Sequence, residues 1–304
     1  NQALFHIGHH KTGTTFLQKS LFENSNSFLR VPQREIFEQV IFPHEFEFSA
    51  DKVRDYVSAY VGDAEKDGRI AVFSNERLSG GHHTGGHDAI QIADRIAICA
   101  PECKILIFVR EQRSMILSLY AQYVKSMGCL SLQDYCNPTY TTHSKELFNP
   151  VTLEYHHLVE AYKKRFEKVL VLPYELLKID SDVVRSRVAD FAGAVGIAAL
   201  KKQNETAARN VSRSRVLQKI DRYFHPLRST KIPHVGPTYH SFTGRIAASG
   251  ISKCINALPL GWLEQRIMSN DQKFTTEFCS GRYSESNKQL SALIEMDLES
   301  LGYE

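Results

Sequence analysis

The chain has 304 residues, 42% hydrophobic and 23% charged, and its 37 basic and 34 acidic side chains leave a formal charge of +3. That balance belongs to a folded globular protein with a large core, not to a disordered chain. No apolar run approaches the roughly 20 residues of a membrane span, and the scattered basic residues argue against coating a nucleic acid while leaving room for a local anion site.

In chain order, residues 3–8 form a short apolar run ending in glycine, and Phe16, Leu17, Leu21 and Phe22 follow at helical spacing within 14–22. The segment reads as strand, tight loop, helix. Val53, Val57 and Val61 place a helix over 51–64, ahead of a second buried strand at 69–74. Beyond a Gly/His-rich loop, Ile90, Ala93, Ile96 and Ala97 line one face of a helix over 87–100. The most hydrophobic run, 104–109, is a third strand, and it passes directly into an amphipathic helix carrying Ile116, Leu117, Tyr120, Tyr123 and Val124. A fourth strand, 169–172, follows a helix over 153–166. Strands that are apolar throughout and spaced by helices predict an α/β fold, with a mostly parallel central sheet flanked by helices on both faces. Ligands of such sheets bind at the carboxyl ends of the strands. From about 198 to 281, Pro226, Pro233, Pro237 and several glycines break the pattern into short helices and loops. A docked helix over 286–301 closes what is expected to be one domain spanning 1–304.

Cys99, Cys103, Cys129, Cys136, Cys254 and Cys279 form no CxxC pair or zinc-finger spacing, so a reduced, cytoplasmic setting is expected. The sequence begins at Asn1 rather than Met, with a strand almost at once, which reads as the loss of a short leader.

The segment Gly8-His9-His10-Lys11-Thr12-Gly13-Thr14-Thr15 joins the first strand to its helix. Its glycines and final hydroxyl match a Walker phosphate loop, in which backbone N–H groups point at an anion. The position that holds lysine in a nucleotide triphosphatase is Thr14, however, and Lys11 stands three residues earlier, so the triphosphate and magnesium geometry is not reproduced.

That displaced pattern, a strand followed by Lys-Thr-Gly-Thr-Thr-Phe-Leu, resembles the 5′-phosphosulfate loop of sulfotransferases that use 3′-phosphoadenosine-5′-phosphosulfate (PAPS), especially the carbohydrate and Golgi-type enzymes and their bacterial relatives. The resemblance implies a P-loop-like three-layer fold, and Lys11, Thr12, Gly13, Thr14 and Thr15 as ligands of the donor. It also implies an arginine that ends the third strand and a serine eight positions later for the 3′-phosphate, which are Arg110 and Ser118 here. Arg113 and Ser114 lie near the same helix start. Where the family has a strand ending in Tyr-Glu-Asp-Leu, this chain has Pro173-Tyr174-Glu175-Leu176-Leu177. Tyr174 is carried over as the adenine contact, although Leu176 replaces the aspartate. The polar stretch 209–214 is similar to a late nucleotide-contacting segment and supplies Asn210 and Ser212.

Sulfuryl transfer passes in line between two oxygens, so a base, a cation and nucleotide anchors are required. Lys11 is the cation. Glu76, just past the carboxyl end of the second strand, is the candidate base, and a glutamate there resembles carbohydrate sulfotransferases. The competing structural role for Glu76 is to cap the next turn or pair with Arg77. His82, His83 and His87 lie within six residues but lack a carboxylate or cysteine partner at ligand spacing, so they read as a polar substrate loop that includes an alternative base, and no metal is expected. His9 and His10 read as exposed or substrate-facing loop residues. The expected activity is transfer of a sulfuryl group from PAPS to an acceptor hydroxyl, with a carbohydrate as the expected acceptor. The rivals are a P-loop nucleotide kinase and a non-catalytic nucleotide-binding module.

Overall fold

The computed structural model describes residues 3–126, 128–139, 148–194 and 261–304, together with the single positions 216, 219 and 222. The chain sorts into two compact units. The first comprises Asn1–Glu111, Pro150–Gln203 and Tyr283–Glu304, and the second Gln112–Asn149 and Asn204–Arg282.

The first unit is built on five parallel strands: β1 (Ala3–Gly8), β2 (Phe28–Arg30), β3 (Ile70–Ser74), β4 (Lys104–Val109) and β5 (Val169–Pro173). Their order is β2-β3-β1-β4-β5. Four of them are the runs expected from the sequence. The fifth, β2, is three residues long and too short to show a pattern; it is held by Phe28 against Ile70 and Arg30 against Val72.

Both faces of the sheet are dry. Leu4, Val72, Leu106, Phe108 and Leu172 point to one face and share a core with Leu17, Leu21 and Phe22 and with Val184, Val188 and Ala192. The last three lie on α9 (Ser181–Ala192), whose N-cap Asp180 accepts from the amides of Asp182 and Val183. The alternate residues Phe5, Ile7, Phe73, Ile105 and Ile107 face the other way and are buried. That side is covered by α3 (Ala50–Lys66), α4 (Ala89–Cys99) and α7 (Tyr155–Lys163). Full burial of each such side chain is worth about 1.5–3 kcal/mol. Paired polar residues, His6 and Ser74, interrupt the first face: both are buried, His6 Nδ1 is 2.8 Å from Ser74 Oγ, and Gln18 Nε2 donates to the same hydroxyl at 3.0 Å.

Strand order reverses at β1, with β3 on one side and β4 on the other, so the crevice of the fold opens at the carboxyl end of β1. The loop after β1 enters a short α1 (Thr14–Leu17), which continues as a wider π turn over Gln18–Phe22 rather than as the single α-helix read from the spacing. Glu23 N–H closes that turn on the carbonyl of Gln18.

In the second unit, α5 (Gln112–Lys125) packs with α10 (Gly261–Cys279). Tyr120, Tyr123, Tyr135 and Phe148 form an aromatic cluster with neighbouring ring centroids 4.9–6.3 Å apart. A helix of 19 residues corrects the expectation of short helices and loops at this point. It buries Ile267, Asp271, Thr275 and Cys279 at four-residue spacing, and with two polar members that stripe does not show as an apolar period. The closing helix of the chain, α11, runs over Ser284–Ile294 in the first unit. Among the described residues no helix is long and apolar enough to cross a membrane.

Candidate active site

The loop from Gly8 to Thr15 is shaped by backbone conformations that few residues accept. Lys11 has φ +68° and Gly13 φ +86°. A left-handed conformation costs a non-glycine residue roughly 1–2 kcal/mol, so the lysine is held there by its surroundings. The left-handed backbone at Gly13 favours glycine, and a Cβ there would lie 2.8 Å from Leu177 Cδ1 and 3.2 Å from the Tyr174 ring, so its neighbours would have to shift. Thr12 Oγ1 donates to His9 O at 2.6 Å and closes the turn. Thr14 is buried with its Oγ1 lacking a protein partner, whereas Thr15 is exposed.

Three strand ends bring the expected nucleotide residues to this loop. Gly8 pairs with Phe108, and Val109 with Pro173, so the residues that leave β1, β4 and β5 start side by side. Arg110 Nη1 donates to Lys11 O at 2.8 Å, and the guanidinium lies 4.8 Å from the centre of the Tyr174 ring. Tyr174 opens α8 (Tyr174–Ile179) and packs against Gly13. Lys11, Gly13, Arg110 and Tyr174 are therefore one constellation, assembled from positions more than 160 residues apart. Ser118 is half-buried on α5, in the second unit. Asn210 and Ser212 lie outside the described residues.

On the β3 side, Glu76 is the first residue of a 3₁₀ turn, Glu76–Ser79, just past the strand end. Its Oε2 accepts from Gln33 Nε2 at 3.2 Å. Neither competing structural role applies as expected: the cap is Asn75, whose side chain accepts from Arg77 N, and Arg77 pairs with Asp88 at 2.7 Å.

The histidines form a second cluster against the loop. His9 is buried, and its Nδ1 is 3.0 Å from Nε2 of His82, which is also buried, in the 3₁₀ turn His82–Thr84. The His10 ring centre is 5.4 Å from that of His82 and 6.5 Å from that of His83, and the His9 ring is 4.9 Å from Tyr155. His9 is thus neither exposed nor isolated, and His82 belongs to a packed turn. Burial, followed by the neighbouring His10, drives the His9 pKa down to about 3. Burial, then Arg77 and Lys11, lowers His10 to about 4, and burial, then His10 and Arg77, lowers His83 to about 4. These imidazoles are neutral near pH 7.

Sequence reasoning missed the supports of Arg110. Tyr155 hydroxyl donates to Arg110 O at 2.7 Å, and Glu175 Oε1 accepts from Glu111 N at 3.3 Å. The signal was present only as a tyrosine in the helix before β5 and as the glutamate beside Tyr174.

Among the described residues one group has metal-ligand atoms within 4.8 Å of one another, Glu154, His156 and His157, and it is engaged internally. His156 Nδ1 meets Ser286 Oγ at 2.7 Å and His157 Nε2 meets Glu154 Oε2 at 3.3 Å. A cavity of about 360 Å³ lined by Val57, Val61, Cys99 and Cys103 lies beside Ala3, at the opposite end of β1 from the loop, and offers little to a charged nucleotide.

The fold and the loop define a parallel α/β protein that carries a glycine-containing turn at its topological switch point. The family model of the sulfotransferase domain matches residues 2–219, and the chain belongs to that family. A sulfotransferase from Alicyclobacillus acidocaldarius superimposes with a TM-score of 0.54 at 17% identity, covering 99% of this chain and 98% of that one. The sulfotransferase domain of the Synechococcus PCC 7002 olefin synthase gives 0.41 at 12% identity, covering 83% and 94% of the two chains. The sulfotransferase domain from the curacin biosynthetic pathway gives 0.38 at 15%, covering 88% and 96%. No curated protein matches significantly.

Proposed function

We propose that the protein transfers a sulfuryl group from PAPS to a hydroxyl on a carbohydrate. The observation that carries the proposal is the convergence of Lys11, Gly13, Arg110 and Tyr174 at the carboxyl ends of β1, β4 and β5. The residues fit the donor: Thr14 keeps a buried hydroxyl without a protein partner beside a glycine turn, and a guanidinium stacked on an aromatic ring suits a 3′-phosphorylated purine nucleotide.

In this reading Lys11 neutralises the charge that builds on the departing phosphate oxygen, while the amides and hydroxyls of 12–15 hold the 5′ group. Arg110 and Ser118 bind the 3′-phosphate, Tyr174 stacks on adenine, and Asn210 and Ser212 add nucleotide contacts. Glu76 takes the proton of the acceptor hydroxyl as its oxygen bonds to sulfur and the sulfur–phosphate oxygen bond breaks. Donor chemistry is limited to supplying the sulfuryl group, and no metal is required because Lys11 and the loop dipoles meet the charge. One observation favours a second assignment of the base: the His9 and His82 imidazoles, neutral and in contact, pack directly against the loop. A cytoplasmic setting and a single catalytic domain over 1–304 complete the proposal.

Calorimetry with 3′-phosphoadenosine-5′-phosphate (PAP) and AMP tests it. Charge-assisted hydrogen bonds contribute on the order of 1.5–3 kcal/mol each, so PAP is expected to bind at least tenfold more tightly. Equal affinities would remove the Arg110 and Ser118 assignment.

A further inference from the structure

Arg110 is the first residue beyond β4, and the peptide group that follows it is gripped from both sides. Tyr155, fully buried at the start of α7, donates its hydroxyl to Arg110 O at 2.7 Å. The amide of the next residue, Glu111, donates to Glu175 Oε1 at 3.3 Å. The other oxygen of that carboxylate, Oε2, accepts the hydroxyl of Tyr303 at 3.0 Å. Tyr303 is buried at 2% exposure, and the segment that carries it is tied down by Asn287 Nδ2, which donates to Glu304 O at 2.6 Å. All of these residues belong to the first unit.

We infer that Tyr303, acting through Glu175, together with Tyr155, positions Arg110 for the 3′-phosphate and so sets the preference of the site for 3′-phosphorylated nucleotides. The inference rests on the proposed role of Arg110 and extends it to a segment about 190 residues away in sequence. A guanidinium reads a phosphate by the direction of its donors. Its stem must therefore be fixed, and a backbone held at the carbonyl and at the following amide fixes the origin of the side chain. Tyr303 and Tyr155 are positioning residues, since each hydroxyl is donated within the protein, to Glu175 Oε2 and to Arg110 O. Because AMP lacks the group that Arg110 grips, loosening the clamp weakens PAP binding and leaves AMP binding to the loop and Tyr174.

The test is calorimetry of PAP and AMP binding to the full chain and to Tyr303→Phe and Tyr155→Phe. Tyr162→Phe serves as control, because that buried hydroxyl donates to Leu78 O, away from Arg110. Loss of one positioning hydrogen bond corresponds to about 3- to 10-fold. We expect PAP affinity to fall by that factor in the first two variants, AMP affinity to stay, and the control to keep the wild-type ratio. Should Tyr303→Phe fail to fold, Tyr155→Phe alone decides. A ratio unchanged in the folded variants, or equal losses for both nucleotides, overturns the inference. A wild-type protein that binds both nucleotides alike overturns the 3′-phosphate reading first, and this inference with it.

Discussion

Residue chemistry separates the two candidate bases. Glu76→Gln keeps size and hydrogen bonding while removing the basic carboxylate, so turnover should fall about 10²–10⁴-fold with nucleotide affinity unchanged. Near-full turnover in that variant, with activity lost in His82→Ala, moves the base to the histidine cluster and removes the argument for a carbohydrate acceptor. Lys11→Ala should weaken binding and turnover together, because that cation meets ground state and transition state alike. Most of this site was legible in the sequence because the loop residues are contiguous and their chemistry follows from their order. The contact between His9 and His82 was not legible, because two histidines 73 residues apart carry no sign that both are buried.

Elements decide how firmly the loop is held. Gly13→Ala places a methyl 3.2 Å from the Tyr174 ring at a left-handed backbone position, so the variant should lose about 1–2 kcal/mol of stability and bind nucleotide more weakly. Thermal unfolding and calorimetry on the same preparation check both. The β1 strand carries a pH dependence of its own. Burial lowers the His6 pKa from 6.5 to about 3, so the unfolded chain takes up the proton first. His6 therefore stabilises the fold above pH 6.5, and that contribution is lost as pH falls from 6.5 towards 3. Urea midpoints should already decline between pH 6.5 and 5.5, above the usual carboxylate range, and a flat profile there would contradict a neutral His6. Long apolar strands such as β4 announce themselves in sequence, whereas β2 is too short and α10 buries too many polar residues to be read.

At the scale of the whole molecule, a parallel sheet whose order reverses at β1 delivers residues from three strand ends to one loop, which is how positions spread over more than half of the chain come together. Fold class followed from the apolar strand runs alone, while the partners of Arg110 depended on side chains that only the folded chain brings together. Thr14 at the Walker lysine position assigns this loop, in the proposed function, to sulfuryl transfer rather than phosphoryl transfer. Incubation with sulfur-labelled PAPS and carbohydrate acceptors, with EDTA present throughout, tests it most directly. Label is expected on the acceptor at a rate that added magnesium does not change. Absence of transfer to any acceptor, or phosphate transfer from ATP that requires magnesium, would contradict it.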